Sequence, residues 1–319
     1  MTTKFRHWLK DKQAVRNGRR ELEHHGITYH NFWELGPTGQ TWFYRFLQRP
    51  AFQQLEQQTG LSFFSVFGRR RLVEMAGPGP KIFFAGENLA NYPAYADHLI
   101  DEVDLALGFA HLDHDKYLRF PLWLLDIFPP EADLPIIQTR LNELSSATNY
   151  FANRPGFATL IARHDNNGIR SKLGDHFTSE GPVDYPGKFR NNNSSLAPSG
   201  YDAKLIFLKN YQFNLCPENT NAGGYVTEKL FHAIAAGCIP VYWGSDNLPE
   251  PEILNQEAIL FYDPKNRRSI QHQLIELLED EEKLLAFAKQ PRFTEDAHQI
   301  IGDYFLKLEQ ALLKVLMQM

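Results

Sequence analysis

Two α/β domains, each a mostly parallel sheet with helices on its faces, are what this sequence predicts, and three observations lead there. Short apolar runs alternate with segments of helical spacing along most of the chain, the pattern of repeated strand-helix-strand units. At 319 residues the chain exceeds one small domain and suits two of about 150 each. Between Phe128 and Ala152 the composition shifts: Pro129, Pro130 and Pro135 interrupt the chain and a polar helix carrying Leu141 and Leu144 follows. That puts the boundary near 150, with domains at 1–150 and 151–319.

In chain order, Phe5 to His24 mixes charges with an intermittent apolar face (Phe5, Trp8, Leu9, Val15) and reads as a surface helix ended by Gly26. Ile27 to Trp33 is the first strand. Gly36 to Gly39 is a turn, and Pro50 separates helical stretches at Thr41 to Leu47 and Ala51 to Gln58. Leu61 to Phe67 is a second strand, and Lys81 to Ala85 a third that ends at Gly86-Glu87-Asn88. Val103 to Phe109 is a fourth, followed by Tyr117 to Leu125. In the second half, Phe157 to Ala162 starts a new sheet and Asn166 to Phe177 is the helix after it. Gly187 to Gly200 is a long polar loop of the kind that tends to be functional. Ala258 to Tyr262 is a strand and Ser269 to Glu279 a helix. In the tail, Ile301, Tyr304, Phe305, Leu308, Leu312, Val315 and Leu316 recur at helical spacing for under three heptads. That favours a helix packed back on a domain, the first included, over a coiled-coil arm.

Composition narrows the function. Hydrophobic residues at 43% and aromatics at 13% argue against extended disorder. A net charge of −5 and a pI near 6.2 argue against nucleic acid as a partner. Arg19-Arg20 and Arg69-Arg70-Arg71 read as solvated surface, with contact to an anionic substrate or a membrane surface as the sharper alternative. The two cysteines, Cys216 and Cys238, read as small core thiols. The first twenty residues lack the apolar stretch of a signal peptide, and no window approaches the ~18 apolar residues of a spanning helix. The expected location is therefore cytoplasmic, or peripheral on the cytoplasmic membrane face. The 12 histidines do not group at metal-ligand spacing: His24-His25, and His111 with His114, lack a third ligand.

One stretch carries most of the chemistry: YQFNLCPENTNAGGYVTEKLFHAIAAGCIPVYWG, residues 211–244. Tyr211 to Leu215 enters a core as a strand, and Pro217, Asn219, Asn221, Gly223 and Gly224 force a loop. A helix starting at Thr220, or in the Asn221 and Gly223 region, ends at Gly237, and Cys238 to Trp243 is a second buried strand. In such a unit ligands sit at the strand carboxyl ends beside the helix amino terminus. Glu218, Asn219, Tyr225, Thr227, Glu228 and Lys229 concentrate there. Two Rossmann-like halves facing across a cleft would set Glu87 of the first opposite this cluster.

That stretch resembles the signature of the alpha-1,3-fucosyltransferases, in their bacterial, GDP-fucose-dependent form. FFAGEN at 83–88, DLALGF at 104–109, KYLRFPLW at 116–123, GIRSKL at 168–173 and GKFRN at 187–191 match as well, so the resemblance covers roughly residues 27–265. It implies a GT-B fold of two Rossmann-like domains, acceptor-binding in the first and GDP-fucose-binding in the second. The activity implied is inverting transfer of L-fucose from GDP-beta-L-fucose to the O3 hydroxyl of an N-acetylglucosamine in a lactosamine-type glycan. Glu87 takes the role of base, and Arg170, Asn219, Tyr225, Glu228 and Lys229 hold the donor, Glu228 on the ribose diol. No cofactor is required by this reading. The partners it implies are GDP-fucose, an oligosaccharide or glycolipid acceptor, and at most peripheral contact with a membrane.

The residue types suit that chemistry in their own right. A cleft carboxylate can take the proton from an attacking hydroxyl. The departing pyrophosphate needs cations, and the DxD triplet Asp113-His114-Asp115 reads as a turn and not as a holder of metal against it. The burden then falls on side chains, and the resemblance implies Arg170 and Lys229 for it, a guanidinium for bidentate phosphate contact and an ammonium as a point charge. Asn219, Tyr225 and the backbone amides of Gly223 to Thr227 are further donors to phosphate or sugar. His111, Trp33 and Tyr92, with Phe43, are candidates for the acceptor side, the aromatics as stacking platforms. Other readings stay open: a GT-B enzyme with another nucleotide sugar, an alpha-1,4 or other regiochemistry, and a non-catalytic sugar-nucleotide-binding module.

Overall fold

The computed structural model describes residues 26–32, 42–53, 55, 60–146, 154–196 and 201–318. The expectations for Phe5 to His24, Arg19-Arg20, Trp33 and the turn at Gly36 to Gly39 lie outside the described residues. The chain divides into two compact units, residues 1–133 with 302–319, and residues 134–301. The division thus falls at Asp133, ahead of a helix over Leu134–Ser146 that belongs to the second unit, where the proline-rich composition shift had suggested 150.

The first unit carries a five-stranded parallel sheet in sequential order: β1 (Ile27–His30), β2 (Leu61–Phe64), β3 (Lys81–Phe84), β4 (Leu105–Gly108) and β5 (Tyr117–Arg119). The registers Phe64↔Phe83 and Phe84↔Leu107 align the carboxyl ends of β2, β3 and β4. β2 and β4 are buried at every position, as near-continuous apolar strands covered on both faces should be. Between strands run α1 (Trp42–Phe46), α2 (Arg71–Met75) and, after β5, α3 (Leu122–Ile127). Of the helix expected over Ala51 to Gln58, the described part holds a short 3-10 turn at Pro50–Phe52, and residues 54 and 56–58 lie outside the described residues. Phe43 is 1% exposed and stacks on Phe63 at 4.8 Å, so it is core and not a sugar platform. Within the arginine run, Arg70 pairs with Asp97 at 2.7 Å and with Glu102. Two carboxylates meet that cation, which weakens the case for an anionic-ligand patch.

The second unit begins with α4 (Leu134–Ser146) and holds a second parallel sheet, ordered β10-β9-β8-β6-β7. Its elements are β6 (Gly156–Thr159), α5 (Ile169–Thr178), β7 (Val183–Asp184), α6 (Tyr201–Leu208), β8 (Tyr211–Pro217), α7 (Glu228–Ala235), β9 (Ile239–Trp243), β10 (Leu260–Phe261), α8 (Arg267–Leu278) and α9 (Glu281–Ala288). The chain leaves β6 to one side for β7 and returns to its other side for β8. That reversal makes β6 and β8 a topological switch point, where open α/β sheets leave a crevice at the strand carboxyl ends. Leu160, Leu173, Phe177, Phe213, Leu215, Ile239, Val241 and Tyr262 form the core beneath it. Burial pushes the Cys238 thiol up to about 11 and raises that of Cys216 well above its ordinary value, which keeps both as unreactive core groups.

The final helix, α10 (Ala297–Leu316), belongs to the first unit from Gly302 onward. There Phe305 packs on Trp42, Phe46, Phe120 and Phe128, and Glu309 accepts from Arg49 at 2.9 Å.

Candidate functional site

At the switch point of the second unit, the organising side chain is Glu218, the first residue after β8. It is 0% exposed. One carboxylate oxygen accepts from the Thr227 amide at 2.8 Å, and the other accepts from the Thr227 hydroxyl at 2.7 Å and from Lys229 Nζ at 3.0 Å. Lys229 also donates to Thr227 Oγ1 at 2.8 Å. A carboxylate taken this far from water survives only when its oxygens are filled, and here they are. Gly244 makes room for it: with φ at +146°, a Cβ there would stand 2.6 Å from Glu218 Cγ, so no larger residue fits.

The same contacts decide where α7 starts. The helix begins after Thr227, not at Thr220 or the Asn221 and Gly223 region, because Thr227 is the extended N-cap anchored to Glu218. The preceding loop is fixed by a reciprocal pair in which Asn221 Nδ2 donates to Asp246 at 2.8 Å and the Asp246 amide donates back at 2.7 Å. Of the amides of Gly223 to Thr227 expected to serve as anion donors, those of Gly224 to Thr227 are already used. Gly224 donates to Ser245, Tyr225 to Ala222, Val226 to Gly224 and Thr227 to Glu218. The charge available to an anion at this end of the sheet lies on side chains.

Those side chains are cations. Arg170, in the first turn of α5, is 6% exposed; its guanidinium donates to Asn219 Oδ1 at 2.6 Å and to the carbonyl of His164. Asp165 accepts from the Arg170 and Ser171 amides and the Ser171 hydroxyl, so it caps α5 and sets the direction of Arg170. The guanidinium hydrogen bonds thus end on neutral oxygens. Burial lowers its pKa, with Asp165, Glu218 and Tyr225 acting the other way, yet an arginine stays charged. Glu228 opens α7 with Lys204 of α6 3.9 Å away. Burial opposes the Glu228 charge, but Lys229, Lys204 and His232 outweigh it and hold the carboxyl down at about 2. Burial likewise opposes the Lys229 charge, and Glu218 and Glu228 outweigh it, so that pKa is raised.

Arg170, Lys204 and Lys229 surround a small hollow over the ends of β6 and β8, of about 10 Å³. Beside it, sharing Ile161, lies an open cavity of about 620 Å³ lined by Arg163, Gly187, Lys188, Asn191 and Leu196. The structure brings Arg170, Asn219, Glu228 and Lys229 together around Glu218. Tyr225 differs: it is 1% exposed, so in this conformation the ring is part of the core beneath the cations. Sequence reasoning noticed Glu218 without giving it a role and did not single out Lys204 or Asp165. Their partners are set by the fold, and no spacing in the chain announces them.

In the first unit, Glu87 follows β3 at the carboxyl edge of the sheet and is half-buried. Tyr92, also half-buried, lies beyond a 3-10 turn over Leu89–Asn91 capped by Asn88, whose side chain accepts from the Ala90 amide at 3.0 Å. Burial raises the Tyr92 pKa, and the nearby Glu87 charge adds to it. His111 is exposed in the β4–β5 loop. Trp33 lies outside the described residues. Among the described residues, no group of three or more His, Cys, Asp or Glu could hold a metal ion, and no helix is long and apolar enough to cross a membrane.

Comparison with known proteins adds a family. Residues 27–126 match the family described as "Alpha-(1,3)-fucosyltransferase FucT N-terminal domain", and residues 154–295 match "Glycosyltransferase family 10 (fucosyltransferase) C-term". The chain is 30% identical over 224 residues to the Alpha-(1,3)-fucosyltransferase FucT of Helicobacter pylori, covering 61% of this chain and 44% of that protein, so it spans under half the relative's length. A crystal structure of an alpha1,3-fucosyltransferase superposes with a TM-score of 0.65 at 24% identity, covering 91% of this chain and 89% of the other. A structure of an alpha1,3-fucosyltransferase with GDP-fucose gives 0.54 at 24% identity, over 80% and 79%. The two parallel-sheet units have the GT-B type of fold found in these neighbours.

Proposed function

Because the chain belongs to the glycosyltransferase family 10 fucosyltransferases, we propose that it transfers L-fucose from GDP-beta-L-fucose to the O3 hydroxyl of an N-acetylglucosamine in a lactosamine-type acceptor, with inversion. The observation that carries this reading is the cation cluster at the switch point of the second unit: Arg170, Lys204 and Lys229 around one hollow, with Glu218 and Glu228 holding the two lysines. A diphosphate leaving group develops negative charge as the glycosidic bond breaks, and preorganised cations stabilise that charge without reorganising. The donor belongs to the second unit. Its diphosphate meets Arg170 and Lys229, its ribose diol meets the Glu228 carboxylate, and the 620 Å³ cavity is large enough for the nucleoside. Asn219 orients Arg170 through its 2.6 Å hydrogen bond. Tyr225 takes its assigned place on the donor only by leaving the core.

The acceptor belongs to the first unit, with Glu87 as the base. Its carboxylate removes the hydroxyl proton while the oxygen attacks the anomeric carbon from the face opposite the departing GDP. One bond forms as the other breaks, so inversion needs no covalent enzyme intermediate. The partners are accordingly GDP-fucose and an oligosaccharide or glycolipid, and the site of action is cytoplasmic or at the cytoplasmic membrane face. The deciding experiment is a transfer assay with GDP-fucose against lactosamine-type, lacto-N-biose-type and glucose-terminated acceptors. An alpha-1,3-fucosylated lactosamine product is expected. Transfer from another nucleotide sugar but not from GDP-fucose would contradict the donor assignment, and a product linked elsewhere would contradict the regiochemistry.

A further inference from the structure

Among the described residues Phe67 is the one phenylalanine in the exposed class, at 42%, and it does not stand alone. Its ring meets Tyr92 edge to face, with centroids 6.1 Å apart and planes at 83°. Both rings sit at the carboxyl edge of the first sheet, where the register Phe64↔Phe83 brings the end of β2 beside the end of β3 and so beside Glu87. Ser65 ties the two strand ends together by donating its hydroxyl to the Phe84 carbonyl at 2.8 Å.

The loop that presents Phe67 is fastened to the core. The Phe67 amide donates to the Asn31 carbonyl at 3.0 Å. Asn31, at φ +56°, donates from its side chain to the Arg69 carbonyl at 3.2 Å and to the Tyr95 hydroxyl at 3.1 Å. Tyr95 is 2% exposed, stacks on Phe83 at 5.5 Å, and donates to the Gly68 carbonyl at 3.1 Å. A Cβ at Gly68 would fall 1.7 Å from Asn31 Oδ1, so a larger residue there would displace the Asn31 side chain from its two hydrogen bonds. A loop pinned on both sides of Phe67 holds its ring beside Tyr92 with part of its apolar surface exposed, and a ligand that covers that surface gains from its burial.

We propose that Phe67 and Tyr92 form the stacking corner for the acceptor: the apolar face of a pyranose ring lies on Phe67, and its hydroxyls meet Tyr92 and Glu87. The inference rests on the reading of Glu87 as the base on the acceptor side. A pyranose suits the corner because it offers C–H groups on one face for an aromatic ring and hydroxyls at its rim for a phenol and a carboxylate. A nucleotide, whose flat base needs edge donors and whose phosphates need cations, suits it less.

The test compares wild type with Phe67→Ala and Phe67→Trp. Binding of N-acetyllactosamine is followed by saturation-transfer NMR, acceptor KM at saturating GDP-fucose by product formation, and GDP affinity by calorimetry. Phe67→Ala should raise the acceptor Kd and KM about three- to tenfold, the scale of one lost aromatic contact, with GDP affinity unchanged, and Phe67→Trp should recover most of the loss. Unaltered acceptor binding in Phe67→Ala would overturn the proposal, as would a parallel loss of GDP affinity. If wild type transfers no fucose while N-acetyllactosamine binding still falls in Phe67→Ala, the stacking corner stands and the transferase reading fails. If wild type transfers fucose and Phe67→Ala binds acceptor normally, only the corner fails.

Discussion

The ends of β3 and β8 both close a parallel strand on a glutamate, and the two glutamates live in opposite circumstances. Glu218 is fully buried and receives Thr227 twice and Lys229 once. Glu87 is half-buried beside Tyr92 and an exposed phenylalanine. The sheets explain much of the difference. The second sheet reverses strand order between β6 and β8, so its topology opens a crevice and places two loops at its rim. The first runs β1 to β5 in sequence with no reversal, so the side chains at its carboxyl edge, Glu87 among them, come from loops. A buried carboxylate with filled oxygens holds a loop and a helix start together; a half-buried one keeps part of its surface in contact with water.

That contrast is exposed to mutation. The largest effect is expected for Glu218→Gln, which keeps the shape but leaves Lys229 without its buried counter-charge. Breaking one side of such a pair costs about 3–5 kcal/mol, so chemical denaturation should show a lower unfolding midpoint in the second unit and GDP affinity should fall with it. A variant with wild-type stability would remove Glu218 from its organising place. Next in size, Arg170→Ala deletes a desolvated cation and should weaken GDP binding about 10- to 100-fold, at roughly 1.5–3 kcal/mol for a charged hydrogen bond. Calorimetry checks it, and Arg170→Lys should recover only part because the bidentate fork is lost.

A smaller effect depends on pH. The Glu228 carboxyl is held down at about 2 by Lys229, Lys204 and His232 against the opposing effect of burial. A depressed carboxyl contributes stability above its unfolded value, about 4.3, and loses it as pH falls toward the folded value. The difference in melting temperature between wild type and Glu228→Gln should therefore be constant above about pH 5 and shrink steadily toward pH 2. A difference that grew on acidification would reverse the assigned sign.

How much of this was legible in the sequence follows from what each signal depends on. The strands of both sheets show in apolar runs such as LSFF and KIFF, because strands buried on both faces need no alternation. The two-residue strand Val183–Asp184 does not show, being too short to leave a pattern, and it is the strand that creates the switch point. Arg170, Asn219, Glu228 and Lys229 were reachable from residue type and family resemblance, and they converge in space. The start of α7 was misplaced because Asn and Gly usually announce a helix entry, whereas here Glu218, nine residues before Thr227, decides it. Lys204 was invisible, since a lysine in a helix says nothing about the glutamate it will face. Phe43 and Phe67 could not be told apart by composition. One packs on Phe63 and Phe84, and the other is turned outward by Asn31 and Gly68.

The central claim is that the two glutamate-bearing edges divide the labour, with base chemistry at Glu87 and donor binding at the Glu218 cluster. Calorimetric GDP affinity and fucose transfer, measured side by side for Glu87→Ala and Lys229→Ala, test it most directly. Glu87→Ala should bind GDP as wild type does and lose about 10²- to 10⁴-fold in transfer, while Lys229→Ala should lose affinity and transfer together. Unchanged transfer in Glu87→Ala, or wild-type GDP affinity in Lys229→Ala, would contradict it.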